Sequence, residues 1–124
     1  MYGLIMLREY LDEILEGKKS YDARAHDTSK RGTIALVDSR KSSIIELVDL
    51  VSTHKISAQE YCKWHATGKW EGMILEVEDM NAAYYAYDFK NPRRLAMPIK
   101  IKKKMGRVWT KIDDKEIYIQ ESLF

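Results

Sequence analysis

Gly-Lys-Lys-Ser-Tyr-Asp-Ala-Arg, at positions 17–24, is the stretch that decides the fold of this chain of 124 residues. It joins a segment with helical periodicity to two long runs rich in β-branched residues, so a helix must give way to a strand within it. In a regular strand, Asp22 and Arg24 point to the same face. Tyr21 and Ala23 then point to the opposite face. The stretch therefore predicts one face suited to the core and one charged face suited to a cleft or a barrel end.

The segment before this stretch has the pattern of an amphipathic helix. Between Leu7 and Glu16, apolar residues recur at helical spacing, and acidic residues occupy the other side. Gly17 is suited to the left-handed conformation that ends many helices. Lys18 and Lys19 follow it, beside the negative pole of the helix dipole. We therefore predict a helix over 7–16 that buries one apolar stripe.

Apolar runs in the rest of the chain predict strands. The predicted strands are Leu4–Leu7, Thr33–Asp38, Ile44–Thr53, Ala82–Phe89, Met97–Lys104, Arg107–Ile112 and Glu116–Gln120, with Met73–Asp79 as an extra strand or a loop. Asn91-Pro92 is predicted to end the strand before it, and Met105-Gly106 to turn a hairpin. A second helix is predicted over 58–66, ending near Gly68, because Ser57 and Glu60 have the spacing of a capping box.

Length and composition indicate one domain over residues 1–124, large enough to bury a core without disulfides or metal. The single cysteine, Cys62, has no partner in the chain, which favours a reducing, cytoplasmic location. The sequence has no apolar run near the roughly 20 residues of a membrane span, and no pattern of a secretory signal. We expect an α+β fold, a small mixed β-barrel with about two helices packed on it, and no membrane association.

The spacing Gly17-x-Lys19-x-x-Asp22-x-Arg24 resembles the G-x-K-x-x-E-x-R signature of ASCH domains, a branch of the PUA-like superfamily. Asp22 stands where the family usually has glutamate. The order of the predicted elements agrees with the family, and residues 87–98 are similar to its closing segment. The resemblance extends over residues 4–112 and implies a PUA-like barrel with its functional cleft at the signature.

The resemblance also implies two enzymatic activities as alternatives to binding. Some bacterial ASCH proteins are amidohydrolases acting on N4-acetylcytidine and related nucleosides, and others are metal-dependent ribonucleases. The amidohydrolases use the signature lysine, which Lys19 matches, together with a threonine at the position of Asp22 and a glutamate elsewhere. Lys19 and Asp22 are therefore the candidate catalytic residues of a hydrolase. We predict no cofactor and no metal, because Cys62 and His65 lack further ligands at a recognisable spacing.

Charge is distributed very unevenly along the chain. Residues 90–111 contain nine basic and no acidic residues, although the net charge of the whole chain is only +2. A block of one sign in a nearly neutral domain indicates an anionic partner, with nucleic acid the first choice. The alternative is a solvated, lysine-rich edge that prevents aggregation. The predicted nucleic-acid patch comprises Arg93, Arg94, Lys100, Lys102, Lys103, Lys104 and Arg107.

A second group of residues is suited to a smaller ligand. Lys19, Asp22 and Arg24 combine two cations with an acceptor for a base edge. The loop after the strand at 33–38 adds Ser39 and Arg40, a hydroxyl and a cation that suit a phosphate. The predicted function is an RNA- or nucleotide-binding module, with DNA and a protein partner left open. The alternatives are a hydrolase of either kind, or an adaptor that recognises a modified nucleotide without turnover.

Overall fold

The computed structural model describes residues 1–65, 83–115 and 117. In chain order the elements are β1 (Tyr2–Met6), α1 (Arg8–Leu15), β2 (Tyr21–Arg24), β3 (Gly32–Asp38), β4 (Ser43–Ile56), α2 (Ala58–His65), β5 (Tyr84–Lys100) and β6 (Trp109–Lys111). No helix within these ranges has the length and the apolar character needed to cross a membrane.

The strands form one mixed sheet in the order β2-β5-β4-β3-β1-β6. β1 and β3 run parallel, and all other neighbouring pairs in this order are antiparallel. Parallel neighbours need a long connection between them. Here α1 and β2 supply it, because they lie between β1 and β3 in the sequence.

The sheet curls so that its two ends approach each other. β2 lies at one edge and β1 lies next to the other, yet Nη2 of Arg24 in β2 donates a hydrogen bond of 2.9 Å to the carbonyl oxygen of Ile5 in β1. α1 adds Leu11 and Ile14 to the largest cluster of buried side chains, which also draws on β1, β3, β4 and β5. The predicted α+β fold is confirmed: six strands form a half-barrel that carries two helices.

The first helix forms where its periodicity predicts it. Leu11 is fully buried and Ile14 is nearly so, while the intervening acidic residues are partly exposed. Gly17 adopts a φ of 74°, the left-handed conformation that most side chains disfavour. The chain thereby leaves the helix and enters β2 four residues later.

The second helix begins at its predicted cap. The Ser57 hydroxyl oxygen accepts a hydrogen bond of 3.1 Å from the backbone N–H of Glu60. Ile56 and Tyr61 pack in the same small cluster, as a hydrophobic staple requires. The predicted end near Gly68 and the segment Met73–Asp79 lie outside the described residues. So does most of the predicted terminal strand, of which Ile117 is helical rather than extended.

The strand β4 departs from simple alternation, which changes the position of Glu46. Its pairing with β3 shifts by one residue between Leu36 and Val37, so Ile45 and Glu46 together oppose Leu36. Such a bulge turns successive side chains away from strict alternation. Ile45 joins the largest core cluster, and Glu46 lies well inside β4 with no exposed surface.

The strand β5 continues through Asn91-Pro92, which were predicted to end it. Asn91 has a φ of 52°, and the pairing register with β4 shifts between Leu47 and Asp49. The one extra residue of β5 forms a bulge, and proline is tolerated at bulges because it has no N–H to donate. Asn91-Pro92 therefore bend the strand rather than end it, and the predicted strand end is wrong.

The predicted hairpin around Met105-Gly106 is wrong. Residues 101–108 contain no strand, and β6 pairs with β1 rather than with the end of β5. The backbone N–H of Ile5 donates a hydrogen bond of 2.8 Å to the carbonyl oxygen of Val108, which positions the chain just before β6. Alternation of apolar and polar residues identifies a strand, but it does not reveal which sheet edge that strand will join.

Candidate functional site

The charged face of β2 forms the centre of the site. β2 pairs with β5, which places Ala23 opposite Ala86 in a small apolar cluster. Because neighbouring side chains alternate, Asp22 and Arg24 share the other face. Asp22 is only 3 % exposed, and its Oδ2 accepts a hydrogen bond of 2.6 Å from Nε of Arg24. The sequence-based prediction of a core face and a charged face is met.

Arg24 is held from two sides. Its Nε pairs with Asp22, and its Nη2 reaches across the barrel to the carbonyl oxygen of Ile5. Two hydrogen bonds on different nitrogens fix the plane of a guanidinium group. Within the described part of the chain, Oδ1 of Asp22 makes no hydrogen bond. The pair therefore presents a fixed cation and an available acceptor.

A cleft of about 310 Å³ opens beside this pair. We call it the signature cleft; its lining residues are Ile5, Met6, Leu7, Tyr10, Asp22, Ala23, Arg24, Ser39, Tyr61 and Arg107. Ser39 is positioned by its backbone N–H, which donates 3.0 Å to the carbonyl oxygen of Met6. The cleft thus joins two guanidinium groups, one carboxylate, a serine and two tyrosines from five separate parts of the chain.

The two tyrosines are positioned by the core. Tyr61 stacks on Tyr84 of β5, with ring centroids 4.1 Å apart and planes 17° apart. Burial raises the pKa of the Tyr61 hydroxyl, with smaller contributions from Tyr84 and Asp22. The hydroxyl therefore stays protonated near neutral pH. Tyr10 packs from α1 against the main core, so both rings are presented on ordered elements.

Two residues predicted for this site point elsewhere. Lys19 lies back against α1, where its Nζ is 3.2 Å from Oε2 of Glu13, and it does not belong to the cleft lining given above. Arg40 is exposed and pairs with Glu9 of α1 at 3.4 Å. The structure thus brings together Asp22, Arg24 and Ser39 of the predicted ligand set. Lys19 and Arg40 instead pair with acidic residues of α1 and do not line the cleft.

The predicted nucleic-acid patch is divided among several places. Arg93 pairs with Asp49 at 3.3 Å on the β4–β5 ribbon. Arg94 lies opposite the buried Glu46 on the same ribbon. Lys100 donates a hydrogen bond of 2.8 Å from Nζ to the carbonyl oxygen of Lys41. Each of these cations already has a local acidic or carbonyl neighbour.

The later members of the patch surround two different cavities. Lys102 and Lys103 line a second cavity of about 230 Å³, whose walls are mainly the isoleucines Ile44, Ile99, Ile101 and Ile112. Lys104 is exposed on the same loop. Arg107, by contrast, lines the signature cleft. The basic block of the sequence therefore contributes to the cleft through Arg107, which the sequence alone did not reveal.

Sequence reasoning missed the two cleft tyrosines. Tyr10 lies in the apolar stripe of the first helix, and Tyr61 packs beside Ile56 at the start of the second. A tyrosine in a core stripe that places its polar tip at a core edge was the available signal. Fixing its position, however, required knowing where the cleft lies. Among the described residues, no cluster of three His, Cys, Asp or Glu is arranged to hold a metal.

Comparison with known proteins shows similarity in structure. No family model and no curated protein matches the sequence. The crystal structure of ASCH from Zymomonas mobilis aligns with a TM-score of 0.68 at 15 % identity, covering 98 % of this chain and 94 % of that one. Its S128A mutant aligns equally well. The N-terminal domain of Staphylothermus marinus McrB aligns with a TM-score of 0.60 at 12 % identity, covering 98 % and 92 %.

Proposed function

We propose that this chain, which has the fold of an ASCH domain, is a nucleic-acid-binding module whose signature cleft accepts a nucleotide of RNA. A free nucleotide or single-stranded DNA would present the same chemistry. The observation that carries the proposal is the composition of the cleft. Arg24 and Arg107 line it together with Tyr10, Tyr61 and the carboxylate residue Asp22.

Each group matches one part of a nucleotide. Guanidinium groups neutralise phosphate, and tyrosine rings provide surfaces on which bases stack. The available oxygen of Asp22 can accept a hydrogen bond from an exocyclic amino group of a base. Since Arg24 is already paired with Asp22, Arg107 is the better candidate for the phosphate contact, and it is exposed. A cleft of about 310 Å³ suits one nucleotide rather than a helix.

The proposal is tested by fluorescence anisotropy with labelled single-stranded RNA and DNA over a range of salt concentrations. If about five phosphates are neutralised across the whole surface, log K falls with log salt at a slope near −3.5, at about −0.7 for each contact. Arg107→Ala removes one exposed side chain from the cleft. We expect it to weaken binding about tenfold, within the range for a charge-assisted contact.

Lys55→Ala is the matched control, because it removes one exposed positive charge outside the cleft. We expect this variant to lose much less affinity than Arg107→Ala. Equal losses of affinity from the two substitutions would show that binding depends on net charge and not on the cleft. The absence of binding to any RNA or DNA at low salt would contradict the proposal altogether.

The hydrolase alternative is covered by the same samples. Incubation with N4-acetylcytidine and with the labelled RNA, followed by chromatography, reports amide or phosphodiester cleavage. Lys19→Ala is the control for a role of that lysine, which lies against Glu13. Turnover that is lost in Lys19→Ala would replace the binding proposal by a catalytic one, whereas intact substrate after binding supports the module.

A further inference from the structure

A pair of aromatic rings lies near the signature cleft and is covered by a lysine of the chain itself. Tyr2 of β1 and Trp109 of β6 meet edge to face, with centroids 6.4 Å apart and planes 80° apart. Lys30 places its Nζ 4.7 Å from the Tyr2 centroid and 5.0 Å from the Trp109 centroid. Both distances lie within the range of a cation–π contact. We call this pair of rings the aromatic corner.

The aromatic corner packs against the core of the protein. Trp109 also stacks on the buried Tyr87, with centroids 6.3 Å apart and planes 18° apart. Tyr2, in contrast, is 43 % exposed. A large aromatic ring that is exposed at the surface beside a core-anchored tryptophan is the kind of surface on which a flat ligand stacks.

The loop that carries Lys30 connects the signature cleft to the aromatic corner. It begins directly after Arg24, which lines the cleft, and its sixth residue is Lys30. Arg31 fixes the loop end by donating to the carbonyl oxygen of Lys30 at 2.7 Å and to the hydroxyl of Thr53 in β4 at 3.1 Å. The Tyr87 hydroxyl donates to the carbonyl oxygen of His26. The loop therefore spans the surface between the two features.

The two features are also close along β1. Met6 lines the cleft and Tyr2, on the same face of β1, forms the aromatic corner, so four strand residues, or about 13 Å, separate them. On the neighbouring segment, Arg107 in the cleft precedes Trp109 by two positions. This separation is within reach of a short single strand whose one nucleotide occupies the cleft.

We propose that the aromatic corner of Tyr2 and Trp109 is a second base-stacking subsite for single-stranded nucleic acid, and that Lys30 covers it until a strand displaces it. This inference rests on the proposed function, since it extends the ligand of the signature cleft by a neighbouring nucleotide. A base competes well with Lys30, which is partly exposed, because stacking of a base on an aromatic ring is stronger than a cation–π contact that is not desolvated. The loop at 25–31 then competes with the nucleic acid for the aromatic corner.

The direction in which one substitution changes the binding affinity tests the inference. Lys30→Ala removes a positive charge, so purely electrostatic binding predicts weaker binding of a labelled oligonucleotide. If Lys30 covers a base subsite, the same variant binds about two- to fivefold more tightly, because the strand no longer displaces a cation–π contact. Lys55→Ala, which removes an exposed lysine from β4, controls for the loss of charge and is expected to bind slightly less tightly.

Substitution of the exposed ring provides the second arm. Tyr2→Ala is expected to weaken oligonucleotide binding roughly tenfold, whereas Tyr2→Phe keeps the ring and the wild-type affinity. A mononucleotide, which fills the cleft alone, is expected to bind all these variants equally. Thermal unfolding of each variant shows whether the fold is retained, and Tyr2→Phe keeps the test valid if Tyr2→Ala is destabilised.

The outcomes separate this inference from the proposed function. If the wild type binds no nucleic acid, both are overturned. If it binds and Arg107→Ala weakens binding, while Lys30→Ala binds less tightly or Tyr2→Ala is unchanged, only the second subsite is overturned. The indole N–H signal of Trp109 can be followed by NMR during titration with tetramethylammonium and with the oligonucleotide. If this signal shifts with tetramethylammonium but not with the oligonucleotide, the second subsite is overturned, because the aromatic corner would then bind alkylammonium groups of a protein.

Discussion

At the scale of single residues, the central feature of the site is the ion pair between Asp22 and Arg24. Two residues apart on one strand face, the side chains lie close enough for a short carboxylate to contact Nε of Arg24 at 2.6 Å. Arg24 in turn reaches Ile5 across the barrel. The pair therefore does two things: it connects the first and the fifth strands of the sheet order, and it directs a guanidinium plane at the signature cleft.

Among the described residues, Glu46 is a buried carboxyl whose raised pKa makes the stability of the fold depend on pH. It has no exposed surface, and both of its carboxylate oxygens lack a hydrogen-bond partner in the described part of the chain. Burial, with a smaller contribution from Asp12, raises its pKa from 4.5 to about 8, against the opposing effect of Arg94 and Arg8. The folded chain therefore retains a proton that the unfolded chain releases between these two values.

We predict that the free energy of unfolding falls as pH rises from about 4.5 to about 8, by up to about 1.4 kcal/mol for each pH unit from this group. Glu46→Gln keeps the shape without the titration, so its urea-unfolding midpoint is expected to vary less over this window. Glu16→Gln, which makes the same change at an exposed position, is the control. Parallel pH profiles for Glu46→Gln and the wild type would show that Glu46 does not titrate in this way.

At the scale of elements, what could be predicted from the sequence depended on whether the signal was local. The helix α1, its end at Gly17 and the cap of α2 at Ser57 were predicted, because periodicity and capping are encoded within a few residues. The bulges near Glu46 and Asn91 were not, because they depend on how two distant strands pair. The partner of β6 was missed for the same reason: the open edge of β1 is visible only in the folded sheet.

The turn before β6 gives a prediction at this scale. A Cβ added to Gly106 would lie 2.4 Å from the backbone oxygen of Trp109, closer than real Cβ contacts allow. Because that neighbour is backbone, Gly106→Ala must displace the segment that carries Arg107 and Trp109. We expect a loss of about 1–3 kcal/mol in stability and weaker nucleic-acid binding.

Urea unfolding and fluorescence anisotropy measure the two effects of Gly106→Ala. Lys55→Ala, at an exposed position of β4, controls for a substitution that disturbs no packing. If Gly106→Ala matched this control in both measurements, the close packing of Gly106 against Trp109 would not describe the protein in solution.

At the scale of the whole molecule, the expected ASCH fold is confirmed by the structural similarity to ASCH from Zymomonas mobilis. The signature and the order of elements were sufficient for this, although the sequence identity is only 15 %. The candidate site was predicted less completely. Asp22, Arg24 and Ser39 meet in the signature cleft, but Tyr10, Tyr61 and Arg107 join them through folding that no local spacing encodes.

The distribution of positive charge over the molecule gives a further prediction. Lys102, Lys103 and Lys104 lie on one loop, away from the signature cleft, and we propose that they contact phosphates irrespective of sequence. Replacing all three with glutamate is expected to weaken binding to every oligonucleotide alike. It is also expected to make the salt slope less steep by about 2, at roughly 0.7 for each contact. An unchanged affinity would assign this loop to solubility alone.

The central claim, that the signature cleft receives a nucleotide, is tested most directly by mapping amide chemical shifts in a ¹⁵N-labelled sample during titration with a mononucleotide and then a short single-stranded RNA. We predict that the largest changes with the mononucleotide fall on Asp22, Arg24, Ser39 and Arg107, and that Arg107→Ala reduces them. Shifts confined to the lysine loop at 102–104, or no shifts at saturating nucleotide, would contradict the claim.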